Sequence, residues 1–270
     1  MAVAAAQVAR AAPVVDSDPM TPVRSDLVPD PAADADTMYA TQARVADAAV
    51  FADRGAPDPA SIGNPDGPLI AGVDQAFLTD PDRAVSAVVV LRGGDVIEQS
   101  HSVSDLALPY IPGLLAFREG GPALDALAAL DAAPDLLVVD GSGRIHPRQA
   151  GLATHLGVVL DVPAVGVAKS LLCGTPDESS GSRPVGWRTP IRADDGVDAP
   201  QSTVIGHAYQ SRQFDSGVVN PLYVSPGNRV STRTATDVVV ACCGGYKLPE
   251  PTRLADGYAD EVKSQVPAGD

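Results

Sequence analysis

Lysine is nearly missing from this chain: of 19 basic residues only Lys169, Lys247 and Lys263 are lysines. Positive charge is scarce overall, since 34 acids leave a net of −15 and a pI near 4.5. That balance excludes nucleic-acid binding through a broad basic face. The acids are themselves lopsided, 29 of the 34 being aspartate. An aspartate-rich, lysine-poor surface suits a cytoplasm at molar salt, where the Debye length shrinks to about 3 Å and self-repulsion is screened. A halophilic source is therefore expected. A merely acidic mesophilic protein is the plainer alternative, but such proteins usually keep more lysine and glutamate. Salt at that level also weakens counterion release, so any nucleic-acid ligand must be held by metal bridging, stacking and pocket fit. Arg118, Arg144, Arg148, Arg229 and Arg233 remain available for local phosphate contacts.

Cysteine is scarce too. Cys173 and the adjacent Cys242 and Cys243 form neither a disulfide framework nor a zinc spacing. No uninterrupted apolar run reaches the roughly 18 residues of a membrane span. The opening MAVAAAQVAR lacks a basic stretch ahead of an apolar core, so no secretory signal is read and a cytoplasmic location is expected.

What is present is a chain of 270 residues, 45% hydrophobic, enough for one large α/β domain. Residues 1–34, rich in Ala, Asp and Pro, read as a flexible acidic extension, and residues 35–270 as a single domain. Asp36 or Thr37 is placed to cap a first helix with an apolar stripe of Tyr39, Val45, Ala49 and Val50. Strand-like runs follow at 69–77, 85–92 and 95–103, the last two joined by the hairpin signal Gly93-Gly94. A helix is predicted from about Pro112 to Leu130, a buried strand at 135–140, a helix at 150–160 and a buried strand at 163–168. Further strands are predicted at 186–192 and 203–209, then helices at 234–242 and 252–262. That order describes a mixed sheet, with antiparallel hairpin strands and parallel strands, flanked by helices.

Three acids stand inside apolar runs of this scheme: Asp74 in LIAGVDQAF, Glu119 in PYIPGLLAFREG and Asp140 in VVDGSGRIHPRQAG. Carboxylates are costly in such places unless neutralised, and a divalent cation with a taste for hard oxygen ligands is the simplest neutraliser. One such acid alone would read as a helix cap or a solvated strand end. His146, followed by proline, is held in an extended or turn conformation at a loop edge, whereas His155 falls mid-helix and receives no role. Lys169 ends the string VPAVGVAKS and is a candidate to bind phosphate. Pro109-Tyr110-Ile111-Pro112 reads as a rigid loop; composition alone leaves Tyr110 equally a core aromatic, but the flanking prolines favour display.

Taken together, these ordered strings resemble the endonuclease V family of inosine-directed nucleases, over about residues 37–262. The resemblance implies a ribonuclease H-like fold and a magnesium-dependent enzyme, with manganese able to substitute. It implies cutting of DNA at the second phosphodiester bond 3′ to deoxyinosine, in repair of deaminated adenine. Asp74, Glu119 and Asp140 would organise metal; His146 would serve the attacking water and Lys169 the scissile phosphate. It further implies a pocket for the extruded base at Gly113, Leu115, Gly141, Gly143, Gly151 and Leu152, and a strand-separating wedge at 109–112. The family commonly carries SxGH where this chain reads Ser225-Pro226-Gly227-Asn228. Asn228 replaces a histidine and cannot titrate, so an altered rate or metal preference is expected. Two other readings stay open: an inosine-specific endoribonuclease, and a non-catalytic inosine-binding module. An enzyme built on Gly141-Ser142-Gly143 as a nucleotide loop ranks last, because the third glycine of that fingerprint is missing. A monomer is the expected state.

Overall fold

The computed structural model describes residues 20–79, 81–214 and 219–267. A helix α1 (Ala35–Ala48) precedes the strands β1 (Ile70–Leu78), β2 (Arg83–Arg92) and β3 (Asp95–Asp105). Then come α2 (Leu115–Ala128), β4 (Leu136–Asp140), α3 (Leu152–Val159) and β5 (Ala164–Ala168). The chain finishes with β6 (Thr175–Pro176), β7 (Arg188–Arg192), β8 (Val204–Tyr209), β9 (Leu222–Asn228), α4 (Thr232–Ala241) and α5 (Glu250–Gln265).

The nine strands among the described residues join one sheet in the order β3-β2-β1-β4-β5-β9-β8-β7-β6. β1, β4 and β5 are parallel neighbours; β2–β3 form an antiparallel hairpin on one side and β9 returns antiparallel on the other. The mixed sheet flanked by helices is the one expected. Alternation along the strands sorts the core into two layers. Val73, Val88, Leu137 and Val139 meet Val45 of α1, Leu127 of α2 and Leu156 of α3 on one face. On the other, Leu136, Val138, Val165 and Val167 meet Val238 and Val239 of α4, while Ala76, Val85 and Ala87 meet Ala259 and Val262 of α5. Gly72 is required here: a Cβ would lie 2.0 Å from the carbonyl oxygen of Pro251, so α5 rests on bare β1 backbone.

Several expectations need correcting. Residues 1–19 of the expected extension lie outside the described residues, but residues 20–34 pack. Leu27 is fully buried, and its carbonyl accepts from Nε2 of His155 at 2.7 Å. The amides of Val23 and Arg24 donate to Val159 and so satisfy a carbonyl at the end of α3 that would otherwise lack a partner. The α1 cap is Asp34, which accepts from Thr37 N–H. Its buried stripe is Met38, Gln42 and Val45, with Tyr39 exposed. α2 starts at Leu115 rather than near Pro112, because Gly113 adopts φ +81° and breaks the helical path. Strands β6 and β9 were not predicted. β9 escaped because its sequence, LYVSPGN, carries both Pro226 and Gly227.

Candidate nuclease site

Register brings two of the acids together. Parallel β1 and β4 pair Val73 with Val139, so Asp74 and Asp140 stand side by side one residue further on. Both face away from the layer that receives Val73 and Val139, toward the side covered by α5. Asp140 Oδ2 lies 2.5 Å from Nζ of Lys169, the residue that follows β5.

Asp74 is 7% exposed. Its Oδ1 accepts from the N–H of Gln75 at 2.7 Å, while its Oδ2 is buried without a partner among the described residues. Burial, then the charge of Asp140, push its pKa up to about 9, against the lowering pull of the Gln75 N–H and Lys169. Asp256 on α5 adds a further negative charge to the same place. Burial disfavours the charge of Lys169, yet Asp140, Asp74 and Asp256 together hold its pKa above the usual value. Asp256 had no visible signal in the sequence. It is an exposed helical aspartate among many, and only the close packing of α5 on β1 carries it here.

Glu119 does not join this pair. It reaches the strand ends from α2, in the opposite layer, and Nη1 of Arg118 donates to its Oε1 at 3.3 Å. Burial lifts its pKa to about 7 against the pull of Arg118, with Asp140 adding a small repulsion. Among the described residues, no group of three His, Cys, Asp or Glu is disposed to share one ion. Of the expected trio, Asp74 and Asp140 stand as a pair, and Glu119 approaches from α2 with Arg118 as its ion-pair partner.

The same strand end also borders a cavity. Its volume is about 340 Å³ counting the open mouth, and Tyr110, Gly113, Leu115, Ala116, Ser142, His146, Ala150, Gly151, Leu152 and Leu172 line it. Of the six expected pocket residues, Gly113, Leu115, Gly151 and Leu152 do so; Gly141 and Gly143 do not. Gly141 sits behind Leu152, whose side chain a Cβ would meet at 3.4 Å. Gly143 is pressed against β9, where a Cβ would lie 2.4 Å from Pro226 O. Sequence reasoning missed Ser142, two residues past Asp140, and also Leu172. Residues 109–112 are all exposed, and Tyr110, at 65%, stands at the cavity mouth.

His146 belongs to the cavity, not to the carboxylates. Its Nδ1 accepts from the amides of Arg148 and Ala150, at 3.1 and 3.4 Å, so its Nε2 carries the proton and donates to Gly113 O at 3.1 Å. Burial lowers its pKa to about 4, so the ring is neutral. Both nitrogens are committed to backbone, which leaves none for a water at the acids. Asn228 is likewise remote. It pairs with Ala164 at the start of β5, whereas Lys169 follows the end of that strand. Buried there, it accepts from Val50 N–H at 3.1 Å and donates to Gly157 O at 2.8 Å. The substitution of histidine by asparagine thus falls on a brace between α1, α3 and β9, and the expected change in rate or metal preference has no contact to act through.

Residues 60–257 match the family model for endonuclease V. The chain is 60% identical over 242 residues to an endonuclease V of Natronomonas pharaonis, a halophilic archaeon, covering 89% of this chain and 96% of that one. Among solved structures, it is similar to the endonuclease V of Streptomyces avermitilis, with TM-score 0.73, 33% identity and coverage of 88% and 98%. The Ciona intestinalis endonuclease V shares the fold at TM-score 0.68 and 24% identity, with coverage of 86% and 98%; that protein was crystallised with a 24mer DNA containing an inosine followed by a ribo-adenosine. A ribonuclease H-like sheet, a carboxylate pair at its strand ends and these relatives agree: the chain belongs to the endonuclease V family of nucleases.

Proposed function

We propose that this protein is a divalent-metal-dependent endonuclease that recognises deoxyinosine in DNA and cuts the second phosphodiester bond on its 3′ side, initiating repair of deaminated adenine. One observation carries the reading. At the end of β4, Asp140 stands beside Asp74, and two residues later Ser142 lines the cavity. A base drawn into the cavity therefore leaves its own strand running past the carboxylates. Extrusion costs a few kcal/mol, least for a weakly paired base such as hypoxanthine.

Asp74 and Asp140 fit a hard cation. Two carboxylates, one with an unpartnered buried oxygen, leave the remaining positions to water and phosphate, the usual arrangement for magnesium. Asp256 strengthens the field that would hold it. Such an ion, when bound, neutralises charge on the phosphate and makes water more acidic. Lys169, set against Asp140, is placed to take a phosphate oxygen. Tyr110, exposed at the cavity mouth, would fill the gap left by the flipped base, and His146 would hold the cavity wall.

Cleavage of an end-labelled duplex carrying one deoxyinosine, in molar potassium chloride with magnesium or manganese, tests this directly. Unmodified duplex, EDTA and an inosine-containing RNA are the comparisons. Inosine-selective, metal-dependent nicking of DNA is expected. Intact DNA alongside cut RNA would move the substrate to RNA, and binding without cleavage in either metal would reduce the protein to an inosine-binding module.

A further inference from the structure

Helix α1 ends before residue 60, where the match to the family model begins, yet it is wired into the cavity. Its contact is Gln42, which is 1% exposed. Nε2 of Gln42 donates to the carbonyl of Gly113 at 2.7 Å, and its Oε1 accepts from Nε of Arg148 at 2.5 Å. Arg148 in turn lays its guanidinium over the ring of Tyr39, 4.2 Å from the centroid, and directs Nη2 at the same carbonyl at 3.4 Å. With Nε2 of His146 also donating, three side chains converge on one backbone oxygen.

That oxygen belongs to the residue on which the site turns. Gly113 follows the exposed residues 109–112, precedes α2, lines the cavity and holds φ +81°. Nothing in its own backbone favours this one conformation, since glycine visits both signs of φ readily. The three donors choose it. Met38 of α1 packs against Leu114 and Phe117 just beyond, which supports the same turn without directing the carbonyl.

We infer that Gln42 is a positioning residue for base recognition, locking the Gly113 turn so that the Tyr110 loop and the cavity wall are preset for an extruded base. This rests on the reading of the cavity as a base pocket. Gln42 touches no substrate; it acts through Gly113. Preorganisation of this kind shows as affinity for the lesion, not for duplex DNA in general.

The test uses the full chain in molar potassium chloride. Gln42→Met keeps the length and removes both polar contacts. Gln42→Glu keeps an acceptor for Arg148 but cannot donate to Gly113. Hydrogen exchange over 108–116, followed by mass spectrometry, is expected to quicken in both variants while the sheet is unchanged. Binding in EDTA is expected to weaken about tenfold for the inosine duplex, in line with one lost buried hydrogen bond, and not for the unmodified duplex. Val45→Ala, which loosens α1 through the core alone, should lower stability without that selective loss. Unchanged exchange at 108–116, wild-type exchange in Gln42→Glu, or equal weakening for both duplexes would overturn the inference. If the wild-type protein does not prefer the inosine duplex, the base-pocket reading itself fails, and the exchange data still report on the wiring.

Discussion

The two sides of the β4 strand end are built on opposite principles. On the cavity side the Gly113 turn is closely bonded: Gly113 O has three donors, and both nitrogens of His146 are occupied. On the carboxylate side Asp74 has a buried oxygen with no partner, beside a second acid and within the field of a third. A closed hydrogen-bond network presets a shape, whereas an open acidic one is unfavourable until a cation enters. The cavity side is thus finished in the protein alone, and the acid side is completed by what it binds.

Removing an acid should show the largest effect. Asp140→Ala is expected to lower the cleavage rate at saturating inosine duplex by about 10³-fold or more, the scale of losing transition-state charge stabilisation. Binding of that duplex in EDTA should hold, because the cavity is untouched. Loss of binding together with cleavage would mean that the two sides do not work separately.

The helical layer behind the cavity and the acid side should also answer pH with opposite signs. His155, fully buried between α2 and residue Leu27, is held down to about 4 by burial. Its folded pKa lies below the usual unfolded value of about 6.5, so its contribution is full above that value and is lost as pH falls toward 4. The size is about 3 kcal/mol. Denaturant unfolding of wild type and His155→Gln between pH 7 and 4 measures it: the variant, whose amide can still donate to Leu27 O, should show the shallower fall. Asp74 has the reverse sense. Its raised pKa means the folded state holds a proton that the unfolded state releases above about pH 4, so metal-free stability declines as pH rises toward 9. Asp74→Asn should flatten that decline.

Packing gives a smaller handle on the acid side. Gly72→Ala would drive a methyl into Pro251 O and force α5 outward. A loss of about 1–3 kcal/mol is expected from such overpacking. Metal affinity should fall as well, because α5 carries Asp256; unaltered affinity would remove Asp256 from the account.

Most of this architecture could be read ahead of the structure where periodicity and turn residues agreed. The β2–β3 hairpin is an example: Gly93 and Gly94 adopt φ +60° and +92° between two strands of the expected extent. Asp74 and Asp140 were visible because each interrupts an apolar strand. What stayed hidden depended on contacts distant in sequence. Asp256 carries no local mark of its position, and Gln42 looks like an ordinary helical residue until the Gly113 carbonyl is set against it. Glu119's placement was hidden for the same reason. It lies in an apolar stretch like the other two, but α2 packs in the other layer and Arg118 pairs with it. Leu27 escaped notice because Ala, Asp and Pro dominate its surroundings, although with Met20 and the Val23 and Arg24 amides it anchors the segment against α3.

Thermal unfolding at pH 8 in molar potassium chloride, on wild type and Asp74→Asn with EDTA or magnesium, tests the central contrast most directly. Asp74→Asn is expected to melt above wild type in EDTA, where the folded wild type must hold a proton on Asp74 that the unfolded chain releases. Magnesium should raise wild type and leave the variant nearly unmoved. A variant that melts lower than wild type in EDTA, or an equal magnesium shift in both proteins, would contradict the claim that this side of the strand end is built to be completed by a cation.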